Sequence, residues 1–91
     1  MPLTHYSIRV FGAVQGVGFR YSTLREAGRL GITGTVRNDD EGSVSIEAEG
    51  GRQALDRFRD WCRRGPVGAV VTDLTCAEKP VRGYASFEIA S

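Results

Sequence analysis

From Thr4 to Phe11 apolar and polar residues alternate, with Tyr6, Ile8 and Val10 on one side and His5, Ser7 and Arg9 on the other. That period of two is the mark of a half-buried strand, and it assigns His5 to the outward, solvated side. Further on, Phe19, Thr23, Leu24, Ala27 and Leu30 recur at helical spacing until Gly31 stops the helix. Ile32 to Arg37 and Ser43 to Glu49 read as two strands joined by a turn over Asn38 to Gly42. In the second, Val44, Ile46 and Ala48 alternate with Ser43, Ser45, Glu47 and Glu49. Leu55, Phe58, Trp61 and Cys62 form the apolar stripe of a second helix, Gly51 to Arg64, which Gly65-Pro66 ends. Val70 to Cys76 is a fourth strand with a less regular pattern. Tyr84 to Ala90 is a fifth, with Ala85, Phe87 and Ile89 expected to face inward.

The order β-α-β-β-α-β with long crossovers predicts a two-layer α+β sandwich of the ferredoxin-like type, an antiparallel sheet with both helices on one face. In that arrangement Val70 to Cys76 is a short or irregular addition, or part of a split last hairpin. With 91 residues there is room for one core, so 1–91 is read as a single domain. A content of 41% hydrophobic and 25% charged residues is that of a soluble globular protein. No apolar run approaches the ~20 residues that cross a bilayer, so no membrane partner is expected. A net charge of +1 argues against a nucleic-acid partner, because the dominant electrostatic term is missing. Two cysteines, Cys62 and Cys76, are too few for a secreted disulfide framework, and the first ten residues lack the charged and apolar regions of a signal peptide. The cytosol is the expected compartment.

The stretch Gly12 to Gly18 holds Gly12, Gly16 and Gly18 between a strand and a helix whose first turn carries Arg20. Glycines let successive backbone N–H groups converge, a helix N-terminus adds partial positive charge, and Arg20 adds a planar donor fork. The same glycines can equally do no more than turn the chain, with Arg20 a solvated surface residue. The spacing matches neither the P-loop nor the dinucleotide pattern, which disfavours a nucleotide enzyme. Asp39, Asp40 and Glu41 before Gly42 suit an exposed turn better than a cation site. Cys62 and Cys76 have no CxxC spacing and no nearby histidine, so both read as buried free thiols rather than metal ligands. Arg37 points away from Val36 by strand alternation.

Gly12-Ala13-Val14-Gln15-Gly16-Val17-Gly18-Phe19-Arg20 resembles the signature of the acylphosphatase family, and Gly34-Thr35-Val36-Arg37-Asn38, followed by Gly42, resembles its second motif. Both lie on the matching elements, and the likeness runs over essentially the whole chain. It implies a ferredoxin-like fold, no metal, no cofactor, and a monomer that hydrolyses the carboxyl–phosphate bond of small acyl phosphates. It further implies that Arg20 binds the phosphoryl group together with main-chain N–H groups over Gln15, Gly16, Val17, Gly18, Phe19 and Arg20. Asn38 is implied to orient the attacking water. Thr35 stands where the family often has an aromatic residue, from which altered packing is expected. Two alternatives remain at this level. One is a ferredoxin-like module that binds RNA or an anion without catalysis, although the strands lack the basic and aromatic pattern of such domains. The other is the acylphosphatase-like start of a larger hydrogenase-maturation carbamoyltransferase.

Overall fold

The computed structural model describes residues 2–90. Its elements are β1 (Thr4–Ala13), α1 (Phe19–Leu30), β2 (Thr33–Asn38), β3 (Val44–Gly50), α2 (Arg52–Arg64), β4 (Val70–Lys79) and β5 (Phe87–Ile89). They form one five-stranded sheet in the order β4-β1-β3-β2-β5. β1 runs antiparallel to both β3 and β4, β2 antiparallel to β3, and β5 parallel to β2. The fold is thus the α+β, ferredoxin-like arrangement that the element order predicts.

The alternating residues of the sheet make the core. Tyr6, Ile8 and Val10 of β1, Val36 of β2, and Val44, Ile46 and Ala48 of β3 are all buried. They pack against Phe19 and Ala27 of α1 and Leu55, Phe58 and Cys62 of α2. Trp61 is only half-buried and lies tilted on Phe19 at 5.7 Å between ring centroids. Leu24 and Leu30, which share the periodicity of α1, are likewise only half-buried.

The last two strands exchange the roles that sequence reasoning gave them. Val70–Lys79 is a ten-residue strand that completes the sheet beside β1, whereas the C-terminal strand is three residues long and is the added one. The irregular pattern of β4 has a structural cause. A bulge between Phe11 and Gly12 shifts the register, so Asp73 opposes Phe11 while Val71 opposes Gly12. Val71 and Leu74, three residues apart, therefore both reach the core, and a strict period of two is lost. The bulge requires glycine: Gly12 has φ 124°, and a Cβ there would lie 2.1 Å from the carbonyl oxygen of Val70. Within the predicted fifth strand, Phe87 packs edge-on against Phe58 at 6.1 Å, but Ala85 and Ile89 are exposed rather than inward-facing.

His5 departs most from expectation. Alternation does turn it away from the helices, yet it is fully buried. The segment between β4 and β5 crosses the open face of the sheet above it. Its backbone N–H groups at Arg82, Gly83 and Tyr84 donate to the Glu49 carboxylate. The His5 ring lies beneath, with Nδ1 2.7 Å from Glu49 Oε2, Nε2 2.6 Å from Glu47 Oε1, and the Tyr84 ring centroid 5.9 Å away.

Burial alone pushes the Glu49 carboxyl up. The hydrogen bonds from Arg82 N–H, the His5 ring, and the Tyr84 and Gly83 N–H groups outweigh it and hold the group down to about 2, against an ordinary 4.5. A carboxyl whose pKa is lower in the folded than in the unfolded chain stabilises the fold above its unfolded pKa, and that stabilisation is lost as pH falls through the folded value. Urea unfolding between about pH 5 and pH 2 is therefore expected to show wild type losing up to ~3 kcal/mol that Glu49→Gln does not lose over the same range. Parallel pH profiles for the two proteins would disprove the assignment.

Candidate active site

Beyond Ala13 the chain leaves the sheet, and it enters α1 only at Phe19. In between, Gly16 and Gly18 take φ of 77° and 76°, the left-handed region. A Cβ at either position would meet nothing within 4 Å. Glycine is needed there for its conformation, not for space. The first helical bond of α1 runs from Ser22 N–H to the Gly18 carbonyl at 3.0 Å. From Gln15 to Tyr21, no backbone N–H meets a backbone acceptor among the described residues. The N-cap is a glycine without a side-chain cap, and no acid stands in the first turn of α1. Among the described residues of its own first turn and cap, nothing compensates the positive end of this helix.

Arg20 stands in that first turn. It is exposed and forms no ion pair among the described residues. It opens on a recess of about 220 Å³, shared with Gly16 and Gly18 of the loop, Asn38 at the end of β2, Tyr21 and Ile89. Val14 and Phe19, both in the core, line it as well. The Asn38 Oδ1 atom is buried, and among the described residues no donor reaches it. A buried amide oxygen without a partner is costly and uncommon.

Of the residues picked from the sequence, Gly16, Gly18, Phe19, Arg20 and Asn38 come together at this recess. Gln15 and Val17 do not line it. Val17 is half-buried against the core. The Gln15 side chain turns the other way, and its Nε2 donates to the carbonyls of Asp39 at 2.8 Å and Ser43 at 2.9 Å. It is a strut from the glycine loop to the β2–β3 turn that carries Asn38, a role no local pattern could reveal. Tyr21 and Ile89 were also missed as lining residues, since a helical tyrosine and a strand isoleucine carry no signal of a site.

Asp39 is not the solvated turn acid that was expected, whereas Asp40 and Glu41 are exposed. Its carboxylate accepts Ser43 Oγ at 2.7 Å and Ser45 Oγ at 2.6 Å, with Arg37 Nε at 3.3 Å and Arg9 Nε at 3.8 Å. Burial pushes the group up, but those hydroxyls and guanidinium groups outweigh it and hold the carboxyl below its ordinary range. The turn is thereby stiffened from within. Arg37 points to the open sheet face as predicted, and Thr35 lies on that same face, so its side chain does not enter the helix-covered core. Cys62 is a buried free thiol whose pKa burial pushes well up, but Cys76, assigned to the interior from sequence, is exposed. It sits on edge strand β4, where no further strand covers it. Among the described residues, no three His, Cys, Asp or Glu side chains gather as a metal-ligand set, and no helix is long and apolar enough to cross a membrane.

Fold and recess together define a small ferredoxin-like protein with a glycine loop, a run of backbone N–H groups outside the helix and sheet bonding, and one guanidinium at a strand-to-helix junction. The family profile described as Acylphosphatase matches residues 6–89. An acylphosphatase of Thermotoga petrophila is 52% identical over 82 residues, covering 90% of this chain and 91% of that protein. The crystal structure of acylphosphatase from Bacillus subtilis superposes with a TM-score of 0.95 at 40% identity, covering 99% of this chain and 100% of that one. The crystal structure of full-length HypF in the phosphate- and nucleotide-bound form matches with a TM-score of 0.89 at 27% identity, covering 99% of this chain and 12% of that one. The chain belongs to the acylphosphatase family, and its activity is that of an acylphosphatase.

If conformation alone dictates glycine at positions 16 and 18, Gly16→Ala and Gly18→Ala each lose ~1–2 kcal/mol of stability. Asparagine at the same positions should lose less, because it tolerates the left-handed region better. Denaturant midpoints of the four variants check this, and alanine variants as stable as wild type would refute it.

Proposed function

We propose that this chain hydrolyses the carboxyl–phosphate bond of small acyl phosphates to a carboxylate and inorganic phosphate, with no metal or cofactor. In this reading Arg20 and the main-chain N–H groups from Gln15 to Arg20 hold the phosphoryl group, and Asn38 places the attacking water. One juxtaposition carries it: among the described residues, a guanidinium with no ion pair, a run of backbone donors with no backbone acceptor, and a buried amide oxygen with no donor all belong to one recess or its wall.

The chemistry asks for little more. Phosphoryl transfer passes through a loose state in which charge spreads over the equatorial oxygens, so positioning and electrostatic stabilisation do most of the work. A planar donor fork and convergent N–H groups suit those oxygens. Asn38 Oδ1, accepting a hydrogen bond from the water, would leave a water lone pair directed at phosphorus. As the new P–O bond forms, the old one breaks, and its electron pair leaves on the carboxylate. The conjugate acid of that leaving group has a pKa near ~4, so no general acid is required. The substrate's own phosphoryl oxygen can take the water proton. His5, the chain's one histidine, is buried beneath the Arg82–Tyr84 segment on the other face of the sheet and has no part in this scheme.

The exposed free thiol of Cys76 fits a reducing compartment such as the cytosol.

Arg20→Gln is expected to lower kcat/KM for acetyl phosphate at least ~10²–10³-fold with circular dichroism unchanged. Asn38→Ala is expected to lose turnover while inorganic phosphate still inhibits at its wild-type concentration. Near-normal turnover by Arg20→Gln would overturn the reading, and lost phosphate inhibition in Asn38→Ala would make Asn38 a phosphate contact instead.

A further inference from the structure

The open face of the sheet carries a second opening, of about 750 Å³, which shares no lining residue with the recess at Arg20. That volume lies within the ~300–1,000 Å³ of sites that hold an organic ligand. Its lining is cationic. Arg9 of β1, Arg37 of β2, Lys79 at the end of β4 and Arg82 of the crossing segment all open on it, with Glu47 as the one lining acid. Lys79 and Arg82 form no ion pair among the described residues. Arg9 and Arg37 share the single carboxylate of Asp39, at 3.8 and 3.3 Å. Glu47 is already engaged, by His5 Nε2 at 2.6 Å and Ser7 Oγ at 2.8 Å. Asp73 and Glu88, paired in register with Phe11 and Thr35, stand on the same face but do not line the opening. A chain of net charge +1 thus gathers a surplus of positive charge on one face.

Strand register sets where these cations stand. Lys79 opposes His5, and the Tyr84 ring lies 5.9 Å from the same His5 ring. Arg82 is anchored by its own backbone N–H on Glu49, so its side chain leaves a fixed segment. Four residues along β1 from His5, or about 13 Å, Arg9 and Arg37 flank Ser45 in one row across three strands. One end of the opening therefore holds an aromatic ring beside two cations, and the other holds two guanidinium groups. Between them the floor is made by Ala77, Ser7, Glu47 and Thr35, whose row crosses the same sheet.

We infer that this opening is a binding site for a nucleoside polyphosphate, separate from the site at Arg20. A flat base stacks on Tyr84, beside Lys79 and Arg82. The phosphates run along β1 past Ser7 to Arg9 and Arg37, whose planar forks each suit two phosphate oxygens. Two guanidinium groups on one carboxylate leave charge for that ligand to neutralise. A free nucleotide fits better than a nucleic-acid strand, because the small net charge supplies no extended field to hold a long backbone.

Equilibrium dialysis of the protein with ATP, in EDTA and at about 0.15 M salt, provides the test. Wild type is expected to bind ATP at least about tenfold more tightly than tripolyphosphate or adenosine, each of which offers only half of the match. The double variant Lys79→Gln, Arg82→Gln should weaken ATP at least about fivefold and leave kcat/KM for acetyl phosphate unchanged. Tyr84→Leu should weaken ATP by at least about fivefold and leave tripolyphosphate binding as it was. Arg20→Gln should bind ATP as wild type does. Unchanged ATP affinity in the double variant overturns the site, and so does ATP binding lost in Arg20→Gln, which places the probe at the glycine loop. Tripolyphosphate bound as tightly as ATP overturns the nucleoside class. A single-stranded RNA bound at least about tenfold more tightly than ATP through the same residues overturns it in favour of a nucleic-acid surface. Undiminished acetyl phosphate turnover by Arg20→Gln overturns the hydrolytic roles proposed above and leaves this site standing.

Discussion

A backbone N–H can bind a ligand oxygen only if the fold has not already used it, and this constraint governs the end of the sheet where β1 stops. Leaving the sheet at Ala13 and entering the helix at Phe19 keeps a run of donors out of both hydrogen-bonding systems. Left-handed glycines at 16 and 18 make that possible without a steric penalty. The rest of the site follows from strand register. Val44 of β3 opposes Val10 of β1 on one side and Asn38 of β2 on the other. Asn38 and the end of β1 are therefore two strand spacings apart, about 10 Å. A helix N-terminus, a guanidinium and an amide from another strand reach one recess because the sheet sets their separation.

The two faces of the sheet hold the ends of the chain in different ways. On the helix side the adhesive is apolar, with Phe19, Phe58 and the β1 and β3 residues packed together. On the open side it is ionic. Glu49 gathers three backbone N–H groups of the segment leading to β5, while His5 is held between Glu49 and Glu47. β5 is only three residues long and gains its position from this clamp, from its parallel bonds to β2 and from Phe87 against Phe58. Because Ile89 of β5 is a wall of the recess, a carboxylate on the far face helps to shape the candidate site.

Such a site asks the protein for rigidity more than for reactive groups. A good leaving group removes the need for an acid, and a loose transition state is served by fixed donors that need no reorganisation. The internal bonding fits that demand: Gln15 braces the loop against the β2–β3 turn, and Asp39 ties that turn together through Ser43, Ser45 and Arg37. Neither side chain lines the recess. Their contribution is to keep the loop and Asn38 in fixed relation.

Periodicity along the chain was enough to determine both helices, the first three strands and most of the core, because side-chain burial in those elements depends on the local repeat of the backbone. The glycine spacing before Arg20 and the Gly34-to-Asn38 pattern, read as a family likeness, were enough to anticipate the family. Tertiary structure decided the remainder, where a residue's surroundings come from distant segments. A bulge opposite Gly12 hid the alternation of β4, a segment some 77 positions along the chain covered His5, and an edge strand left Cys76 uncovered. The strut at Gln15 and the recess walls at Tyr21 and Ile89 belong to the same class, since each depends on which chain segments the sheet places side by side. Burial and partnership are properties of neighbours in space, and a one-dimensional pattern records only neighbours in sequence.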